Sequence, residues 1–479
     1  MRFPKIRLKP RARRSGYEID MTSGPIVSKT IRFAIPLALS GILQLLFNAA
    51  DIIVVGQFVG PTALAAVGST SALIQLIVNL FIGLSIGVNV LVARYYGAGA
   101  TKDLRETVHT SVLISLISGA VLVFIGIALS RPLLELMGTP ADVIDQAVLY
   151  MRIYFVGMPV MMLYNFGSAI LRAVGDTQRP LYFLFIAGVV NVILNLIFVI
   201  VFHMGVEGVA IPTVISQCVS AALVLFCLVK SDTVYRVDLK KLRITKHKLW
   251  QMVKIGVPAG IQSATFSISN VLIQSSVNSF GSIAMAGSTA GSNIDGFVWT
   301  AMDAFTQSTL SFTSQNFGAK KFHRITKVIW YNLLLVTGVG LVLGIGAYLA
   351  GPVLLQIYST DPEVIRYGVE RMLLECAPYA ICGIMNVMVG AMRGFGSSLS
   401  PMMASIFGVC VLRVVWIYTI FPLDRTFFML FLSYPVTWVV TSIIEVACFL
   451  VIRKKAIARA MAGDTGESVS GHGPQEAEA

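Results

Sequence analysis

Long apolar segments constrain this chain of 479 residues more than any other feature. Runs of about 20 residues with almost no charge recur along it, among them 111–129, 181–201 and 331–350. Each is long enough to cross roughly 30 Å of hydrocarbon as a helix. In lipid the backbone must satisfy its own hydrogen bonds, so these segments are predicted to be helices, and the alternating ten-residue pattern of a membrane barrel does not occur. Charged residues make up only 13% of the chain, against about 25% in a soluble protein.

The pattern therefore predicts an all-α integral membrane protein with twelve transmembrane helices. We place the helices near residues 31–57, 62–94, 107–130, 146–171, 180–203, 207–230, 249–280, 283–317, 323–348, 364–393, 399–421 and 426–452.

The net charge of +13 raises the question of a nucleic-acid partner, but the distribution of basic residues indicates a different role. With a cytoplasmic N-terminus, most Lys and Arg fall in predicted cytoplasmic segments. The exceptions are Arg131, Arg152, Arg366, Arg371 and Arg425 outside, and Arg413 within a span. This asymmetry follows the positive-inside rule. We expect a multi-pass protein of a bacterial plasma (inner) membrane, with both termini cytoplasmic, that contacts membrane lipid and not nucleic acid.

An internal repeat divides the chain into halves. Gly97-Ala98 matches Gly318-Ala319, and Val143-Ile144 matches Val364-Ile365, with the same separation in the sequence. Arg172, Gly175 and Pro180 match Arg393, Gly396 and Pro401 at that separation too, and Pro36 matches Pro258 with a separation one position longer. Six helices per repeat give both halves the same orientation, which is typical of transporters with a substrate path between two lobes. Channels also contain repeats, so duplication alone does not establish transport.

The predicted organisation has five segments. They are a basic cytoplasmic N-terminal tail (1–30), an N-lobe of six helices (31–230), a basic cytoplasmic inter-lobe loop (231–248), a C-lobe of six helices (249–455) and a disordered cytoplasmic tail (456–479).

The repeat also separates residues that serve the fold from residues that serve one site. Polar residues present in only one half are candidates for function. Asp51 lies deep in the first helix, where an ionised carboxylate is costly unless it has a partner. It continues a polar stripe formed by Ser40, Gln44 and Asn48, whose spacing places all four on one helix face.

Amide and hydroxyl side chains in the fifth and sixth helices complete this candidate site. Asn191, Asn195 and Thr213 have no polar copies in the second half, where Leu412, Trp416 and Tyr434 occupy the matching positions. A carboxylate with amide and hydroxyl oxygens suits a hard monovalent cation such as Na⁺, and the same carboxylate can take a proton instead. The structural alternative is a buried Asp that joins neighbouring helices through hydrogen bonds.

A second polar cluster lies in the eighth predicted helix. Asp295, Trp299 and Asp303 follow one another at four-residue steps, so they share one face. Two acids around a tryptophan can attract an organic cation through charge and cation–π contact. The preceding helix carries Asn270 and Gln274 on its own polar face. We expect these residues, with Gln44 and Asn48, to line the substrate cleft; the alternative is that they only face water.

Catalytic chemistry has no support in the sequence. The six cysteines form no CxxC pair, and neither an HExxH motif nor a GxSxG motif with catalytic partners occurs. We expect a transporter, not an enzyme, with no cofactor beyond a coupling H⁺ or Na⁺.

At these residues the chain resembles the multidrug and toxic compound extrusion (MATE) family of secondary transporters. The similarity covers roughly residues 28–452. It rests on Pro36, Asn48, Asp51 and Gly56, on the segments Ala98–Lys102 and Leu171–Thr177, on Asn191 and Asn195, and on Gly208–Thr213 and Thr313–Ala319.

The resemblance implies two six-helix lobes that form a V, and export of cationic or amphipathic organic compounds in exchange for Na⁺ or H⁺. It places the family's first-lobe cation site at Asp51, Asn191, Asn195 and Thr213. Many members have Asp at the position of Asn195, so a single carboxylate remains here. The glutamate that some members carry in the seventh helix is replaced near Phe266, which leaves Asp51 as the expected coupling residue.

We expect the chain to act as a monomer on small organic molecules by alternating access. Neutralisation of Asp51 would repack the first helix, with Pro36 as the hinge, and would shift the equilibrium between the lobes. The alternative is a flippase for a lipid or lipid-linked saccharide, which would favour a cationic cleft.

Overall fold

A computed structural model describes residues 16–462 of the chain. Within that range the fold is built from helices, and we number the fourteen longer ones α1 to α14. Their bounds are α1 Ile26–Val59, α2 Pro61–Ala98, α3 Thr101–Leu136, α4 Ile144–Val156, α5 Met158–Ala173, α6 Gln178–Val201, α7 Glu207–Lys230, α8 Lys246–Asn278, α9 Ser282–Gly318, α10 Phe322–Leu355, α11 Pro362–Glu375, α12 Tyr379–Gly394, α13 Leu399–Leu423 and α14 Phe427–Met461.

Eight of these helices are long and apolar enough to cross a membrane, and two bent pairs raise the number to ten. The pairs are α4 with α5, bent by 48°, and α11 with α12, bent by 46°. The sequence pattern predicts each pair as one continuous helix, but proline lies at the start of the second part of each (Pro159 and Pro378), where it cannot donate a backbone hydrogen bond. The other two predicted spans, α8 and α9, are 33 and 37 residues long but carry more polar residues.

The two-lobe architecture is confirmed. Helices α1–α7 form the N-lobe and α8–α14 repeat the same order as the C-lobe. Each lobe has its own large cluster of buried apolar side chains, one centred on α2–α5 and the other on α9–α14. Each helix thus buries one face in its lobe and leaves apolar residues exposed on the other, as expected of a protein surrounded by lipid.

Glycines allow the lobes to approach closely. Gly83 and Gly87 of α2 pack directly against the backbone of α8 at Gly256, Gly260 and Met252, where a Cβ atom on either glycine would collide with main-chain atoms. Small residues permit this kind of backbone contact between membrane helices. The α2–α8 contact is the most extensive between any two helices in the described range.

The recurrent Gly97 and Gly318 belong to the same inter-lobe contact. A Cβ at Gly97 would collide with the carbonyl oxygen of Gln315, and one at Gly318 would collide with that of Arg94. Positions 94 and 97 correspond in the repeat to positions 315 and 318, so the two contacts are related by the duplication. Gln315 also donates a hydrogen bond of 2.6 Å to the carbonyl oxygen of Ala173. Both contacts lie at the end of the bundle where α1 begins and α14 ends, which we call the termini face.

Residues 18–23 form a strap across the termini face. The Ile19 amide donates to the Gly175 carbonyl in the N-lobe, and the Tyr96 hydroxyl donates to Glu18. In the C-lobe, Asn316 and Arg324 both donate to the carbonyl oxygen of the fully buried Met21. Part of the segment predicted as a basic cytoplasmic tail therefore packs on both lobes.

Both predicted terminal tails extend beyond the described range. Residues 1–15 and 463–479 lie outside the described range, while residues 456–461 of the predicted C-terminal tail continue helix α14.

Candidate functional site

The four residues predicted to hold a cation lie together inside the N-lobe. Asn195 of α6 donates a hydrogen bond from its amide nitrogen to Asp51 of α1. The same nitrogen lies 3.3 Å from the side-chain oxygen of Asn191, and Asn191 donates to the Thr213 hydroxyl of α7 at 3.3 Å. Helix α1 and the consecutive helices α6 and α7 thus contribute to one polar chain.

The backbone of two of these helices departs from α-helical geometry beside the site. The end of α1, Val55–Val59, is π-helical and begins four residues after Asp51. The end of α6, Ile197–Val201, is also π-helical and begins two residues after Asn195. Short π-helical segments are frequent at functional sites because the wider turn changes the direction of nearby side chains. Both segments contact each other, so the irregular ends of α1 and α6 form one unit.

Asn195 combines full burial with an incomplete set of hydrogen bonds. Its side chain has no exposed surface, yet its amide oxygen has no hydrogen-bond partner within the described residues. A buried polar oxygen without a partner is costly, and such atoms require an explanation. A cation or a bound water beside Asp51 would satisfy it. In residues 16–462, no group of three or more His, Cys, Asp or Glu side chains is arranged to hold a metal ion.

A cavity of about 430 Å³ opens beside Asp51. Asp51 is the one charged side chain on its lining within the described residues. The lining is otherwise amide, hydroxyl, aromatic and aliphatic. Its residues are Gln44, Phe47, Asn48, Asp51, Ile74, Gln75, Val78, Asn79, Ile82, Tyr150, Tyr154, Met161, Tyr164, Asn165, Leu184, Ala187, Gly188, Asn191, Thr213, Ser216, Gln217 and Ser220. The cavity can therefore receive an organic molecule with its positive group toward one carboxylate.

Several lining residues were missed by the sequence analysis, above all Tyr150, Tyr154 and Gln217. The stacked rings of Tyr150 and Tyr154 lie 6.2 Å apart on the wall of the cavity. The repeat would have revealed all three, since the residues at the corresponding positions of the second half are Arg371, Glu375 and Trp438. Tyr150 and Tyr154 did not stand out in the sequence because tyrosine is an ordinary residue of apolar helices.

The other predicted cleft residues are divided between two places. Gln44 and Asn48 line the Asp51 cavity. Asp295, Trp299, Asp303, Asn270 and Gln274 do not appear on its lining.

Asp295 points into the C-lobe, where the Cys376 thiol lies 3.8 Å from its carboxylate. Asp303 accepts a hydrogen bond of 3.4 Å from Gln307, Gln274 donates to Asn278 at 3.2 Å, and Trp299 is 39% exposed. The C-lobe residues therefore do not form one site with Asp51, and their role in substrate contact stays a prediction.

The comparisons with known proteins agree with the duplicated architecture. The sequence model of the MatE family matches residues 36–197 and 258–419, which are two segments of equal length related by the repeat. A probable multidrug resistance protein, YoeA of Bacillus subtilis, is 30% identical over 384 residues, covering 79% of this chain and 83% of the relative. An FAD transporter of Shewanella oneidensis is 27% identical and covers 81% of this chain and 86% of its own length.

Solved structures show the same fold. A crystal structure of a MATE protein in complex with MaL6 superimposes with a TM-score of 0.85 at 22% identity, covering 92% of this chain and 98% of that one. An outward-facing multidrug resistance MATE transporter of the MOP superfamily has the same TM-score and identity, with 94% and 100% coverage. With two family segments in one chain and matching relatives over most of its length, this protein belongs to the MATE family of multidrug efflux transporters.

Proposed function

We propose that the protein is a secondary antiporter that exports organic cations and cationic amphipathic compounds in exchange for H⁺ or Na⁺, with Asp51 as the coupling residue. The observation that carries this proposal is the N-lobe cavity, in which a single carboxylate is surrounded by amides and aromatic rings. A cationic substrate and a coupling cation would both be attracted to that carboxylate, so they would compete for it.

Competition at one carboxylate gives a simple exchange cycle. The ionised Asp51 holds the positive group of the substrate while apolar parts contact Tyr150, Tyr154 and Phe47. A proton or Na⁺ that reaches Asp51 from outside neutralises it, weakens the attraction and releases the substrate. The hydrogen-bonded chain through Asn195 and Asn191 then links the change at α1 to α6 and α7. A ligand can shift a conformational equilibrium in this way only if it binds the two states differently.

The contacts between the lobes indicate where the movement would occur. The close backbone contacts at Gly83, Gly87, Gly97 and Gly318 lie in the half of the bundle nearest the termini face. Opening that half while closing the other would expose the cavity alternately on the two sides. We assign the termini face to the cytoplasm of a bacterial plasma membrane, because the basic segments of the chain lie there. Exchange of one H⁺ or Na⁺ for one singly charged organic cation would move no net charge, because the roughly 2.3 kcal/mol that 100 mV gives to the entering ion is offset by the exit of the substrate. The concentration gradient of the coupling ion would then drive the cycle.

A flippase for a lipid or lipid-linked saccharide remains the second candidate, and a relative named as an FAD transporter raises the related case of a phosphate-bearing substrate. Such substrates need cationic or anion-binding groups. The described lining of the cavity contains an acid and no Lys or Arg, which favours an organic cation.

Uptake of the cationic dye ethidium into proteoliposomes tests the proposal. We expect dye uptake when H⁺ or Na⁺ is more concentrated inside the liposomes than outside. Asp51→Asn should show no uptake at equal amounts of folded protein. Glu370→Gln is the control, since that partly exposed carboxyl of α11 belongs to none of the predicted sites. Gradient-driven uptake by Asp51→Asn at the wild-type rate would overturn the proposal.

A further inference from the structure

A second isolated carboxyl group lies in the C-lobe, on helices that the repeat relates to those of the Asp51 site. Helices α8, α13 and α14 correspond to α1, α6 and α7. Glu445 of α14 is fully buried and accepts a hydrogen bond of 2.7 Å from the Ser405 hydroxyl of α13. Ser405 in turn accepts a hydrogen bond of 2.9 Å from the Gln262 amide of α8. Each of the three helices thus contributes one polar group, whereas in the N-lobe α1 and α7 contribute one each and α6 contributes two.

This C-lobe network is not a copy of the N-lobe site. The positions corresponding to Gln262, Ser405 and Glu445 are Ser40, Leu184 and Val224, so the N-lobe has no second carboxylate there. Gln262 also lies about three turns before the counterpart of Asp51, which is about 16 Å along a helix and nearer the termini face. The carboxyl group of the C-lobe therefore lies on the same three helices as the Asp51 site does in the N-lobe, but closer to the termini face.

The backbone beside this network has the same irregularity as the N-lobe site. Residues Ile406–Val411 of α13 are π-helical, and they begin directly after Ser405. Gly408 within this segment packs against Thr441, one turn before Glu445 on α14. A π-helical turn beside a buried polar group in both lobes is an observation independent of the hydrogen bonds, and it is typical of functional positions in helices.

Two atoms of the network lack partners within the described residues. They are the second carboxyl oxygen, Oε2, of Glu445 and the Nε of Arg393. Arg393 of α12 donates to the Gln262 side-chain oxygen at 2.8 Å, so the acid and the base belong to one network but are joined only through Gln262 and Ser405. A buried carboxylate without a partner for one oxygen is costly, whereas a protonated carboxyl carries its hydrogen at that oxygen.

We infer that Glu445 is a second proton-binding site, which holds a proton on Oε2 in the arrangement described here and releases it when the C-lobe rearranges. The released proton leaves a carboxylate, for which Arg393 is the cation within the network. No bond other than the O–H bond is made or broken.

The charged and titratable groups that interact with Glu445 are Arg393 and Cys382 of α12. The other such groups on the helices packed against α14 include Arg413 and Cys410 of α13. On α11, Arg371 and Glu375 pair with each other at 2.9 Å. Arg413 lies 3.8 Å from the ring centre of Tyr434 and 3.4 Å from the Thr437 hydroxyl. The α8 contact is the neutral Gln262. Within the described residues, Arg393 is thus the base that hydrogen bonds link to the acid, through Gln262 and Ser405.

Infrared difference spectroscopy of the full-length protein in liposomes, between acidic and alkaline pH, tests this inference. A protonated carboxyl group gives a C=O stretching band that shifts in deuterated water. We expect one such band that is lost at alkaline pH, is missing at every pH in Glu445→Gln and persists in Asp51→Asn. In Ser405→Ala the band should move to higher frequency, because the carbonyl oxygen loses its hydrogen-bond donor.

The control is Glu370→Gln in α11, which removes a partly exposed carboxyl and should leave the band unchanged. The inference fails if no band depends on Glu445, or if the Glu445 band is the same at all pH values, since the group would then be a permanent structural donor. Either failure leaves the proposal for Asp51 intact, because that proposal is tested by dye uptake.

Discussion

The N-lobe and C-lobe share one helical framework, but the N-lobe contains a cavity beside Asp51 and side chains fill the matching region of the C-lobe. In the N-lobe, Tyr150 and Tyr154 line the cavity beside Asp51. Their counterparts in the C-lobe, Arg371 and Glu375, form a buried ion pair at 2.9 Å, and Arg371 also donates to the Ser288 hydroxyl at 2.7 Å. The same two turns of the framework therefore serve as a cavity wall in one lobe and as an internal cross-link in the other.

Side-chain volume explains most of the difference. Thr213, Gln217 and Asn195 surround the N-lobe site, and Tyr434, Trp438 and Trp416 stand at the matching C-lobe positions. The rings of Tyr434 and Trp438 lie 5.8 Å apart in edge-to-face contact, and both side chains are more than nine-tenths buried. Replacement of small polar groups by aromatic rings closes the space that a ligand would need. The N-lobe therefore keeps space for a ligand beside Asp51, whereas packed side chains fill the matching positions of the C-lobe.

The largest loss of transport is expected when an N-lobe residue is replaced by its C-lobe counterpart. Thr213→Tyr would place an aromatic ring in the cavity beside Asp51, and we expect near-complete loss of ethidium uptake while the protein still folds. Thr213→Val, which removes the hydroxyl but adds no ring, is the matched control and should retain measurable uptake. If Thr213→Tyr transports as well as Thr213→Val, the cavity is not the substrate site.

Breaking the Arg371–Glu375 ion pair of the C-lobe should lower the stability of the folded protein. Glu375→Gln leaves the Arg371 guanidinium buried without its counter-charge, and we expect a loss of about 3–5 kcal/mol in the free energy of unfolding. At the matching N-lobe position, Tyr154→Phe removes one hydroxyl and should cost about 1 kcal/mol. Thermal unfolding of the two variants in the same detergent provides the measurement. Equal losses would show that the buried ion pair contributes no more to stability than the single hydroxyl does.

A smaller asymmetry is expected between the two repeated prolines. Both Pro36 of α1 and Pro258 of α8 lie inside a helix and remove a backbone hydrogen bond. Only α1 carries an acid on the polar face beyond the proline. Pro36→Ala should therefore lower gradient-driven uptake per folded protein more than Pro258→Ala does. Matching defects would mean that the prolines only shape the lobes.

The smallest effect is predicted at position 195, where this chain has Asn and many family members have Asp. Asn195→Asp adds a second carboxylate beside Asp51, so we expect transport to persist with a changed dependence on Na⁺ or pH. Dye uptake measured over a series of Na⁺ concentrations and pH values would reveal the change. An abolished activity would instead show that the amide donor to Asp51 is essential.

Much of this architecture could be predicted because apolar segments and internal repeats can be read from the sequence without knowledge of tertiary contacts. Lipid demands long apolar helices, and the constant separation between matching residues, such as Gly97 and Gly318, revealed the two lobes before any contact was known. Asp51, Asn191, Asn195 and Thr213 were found because polar residues in apolar helices are rare and because the second half lacks them.

What could not be predicted depended on neighbours that are distant in sequence. Helical spacing placed Asp295 on a polar face, but it could not tell whether that face turned toward the cleft or toward Cys376. Tyr150 and Tyr154 resemble ordinary core residues until the cavity is seen. Likewise, only tertiary contacts show that residues 18–23 pack on both lobes, since the segment has no periodicity of its own.

Competition for Asp51 is the central claim, and equilibrium binding of ethidium to the purified protein tests it most directly. In the wild type, the dissociation constant should rise as the coupling cation, H⁺ or Na⁺, becomes more concentrated, because the cation neutralises the carboxylate that attracts the dye. In Asp51→Asn, binding should be about tenfold weaker or more, equivalent to about 1.4 kcal/mol, and independent of both cations. Wild-type binding that responds to neither cation, or a response that survives in Asp51→Asn, would contradict the account.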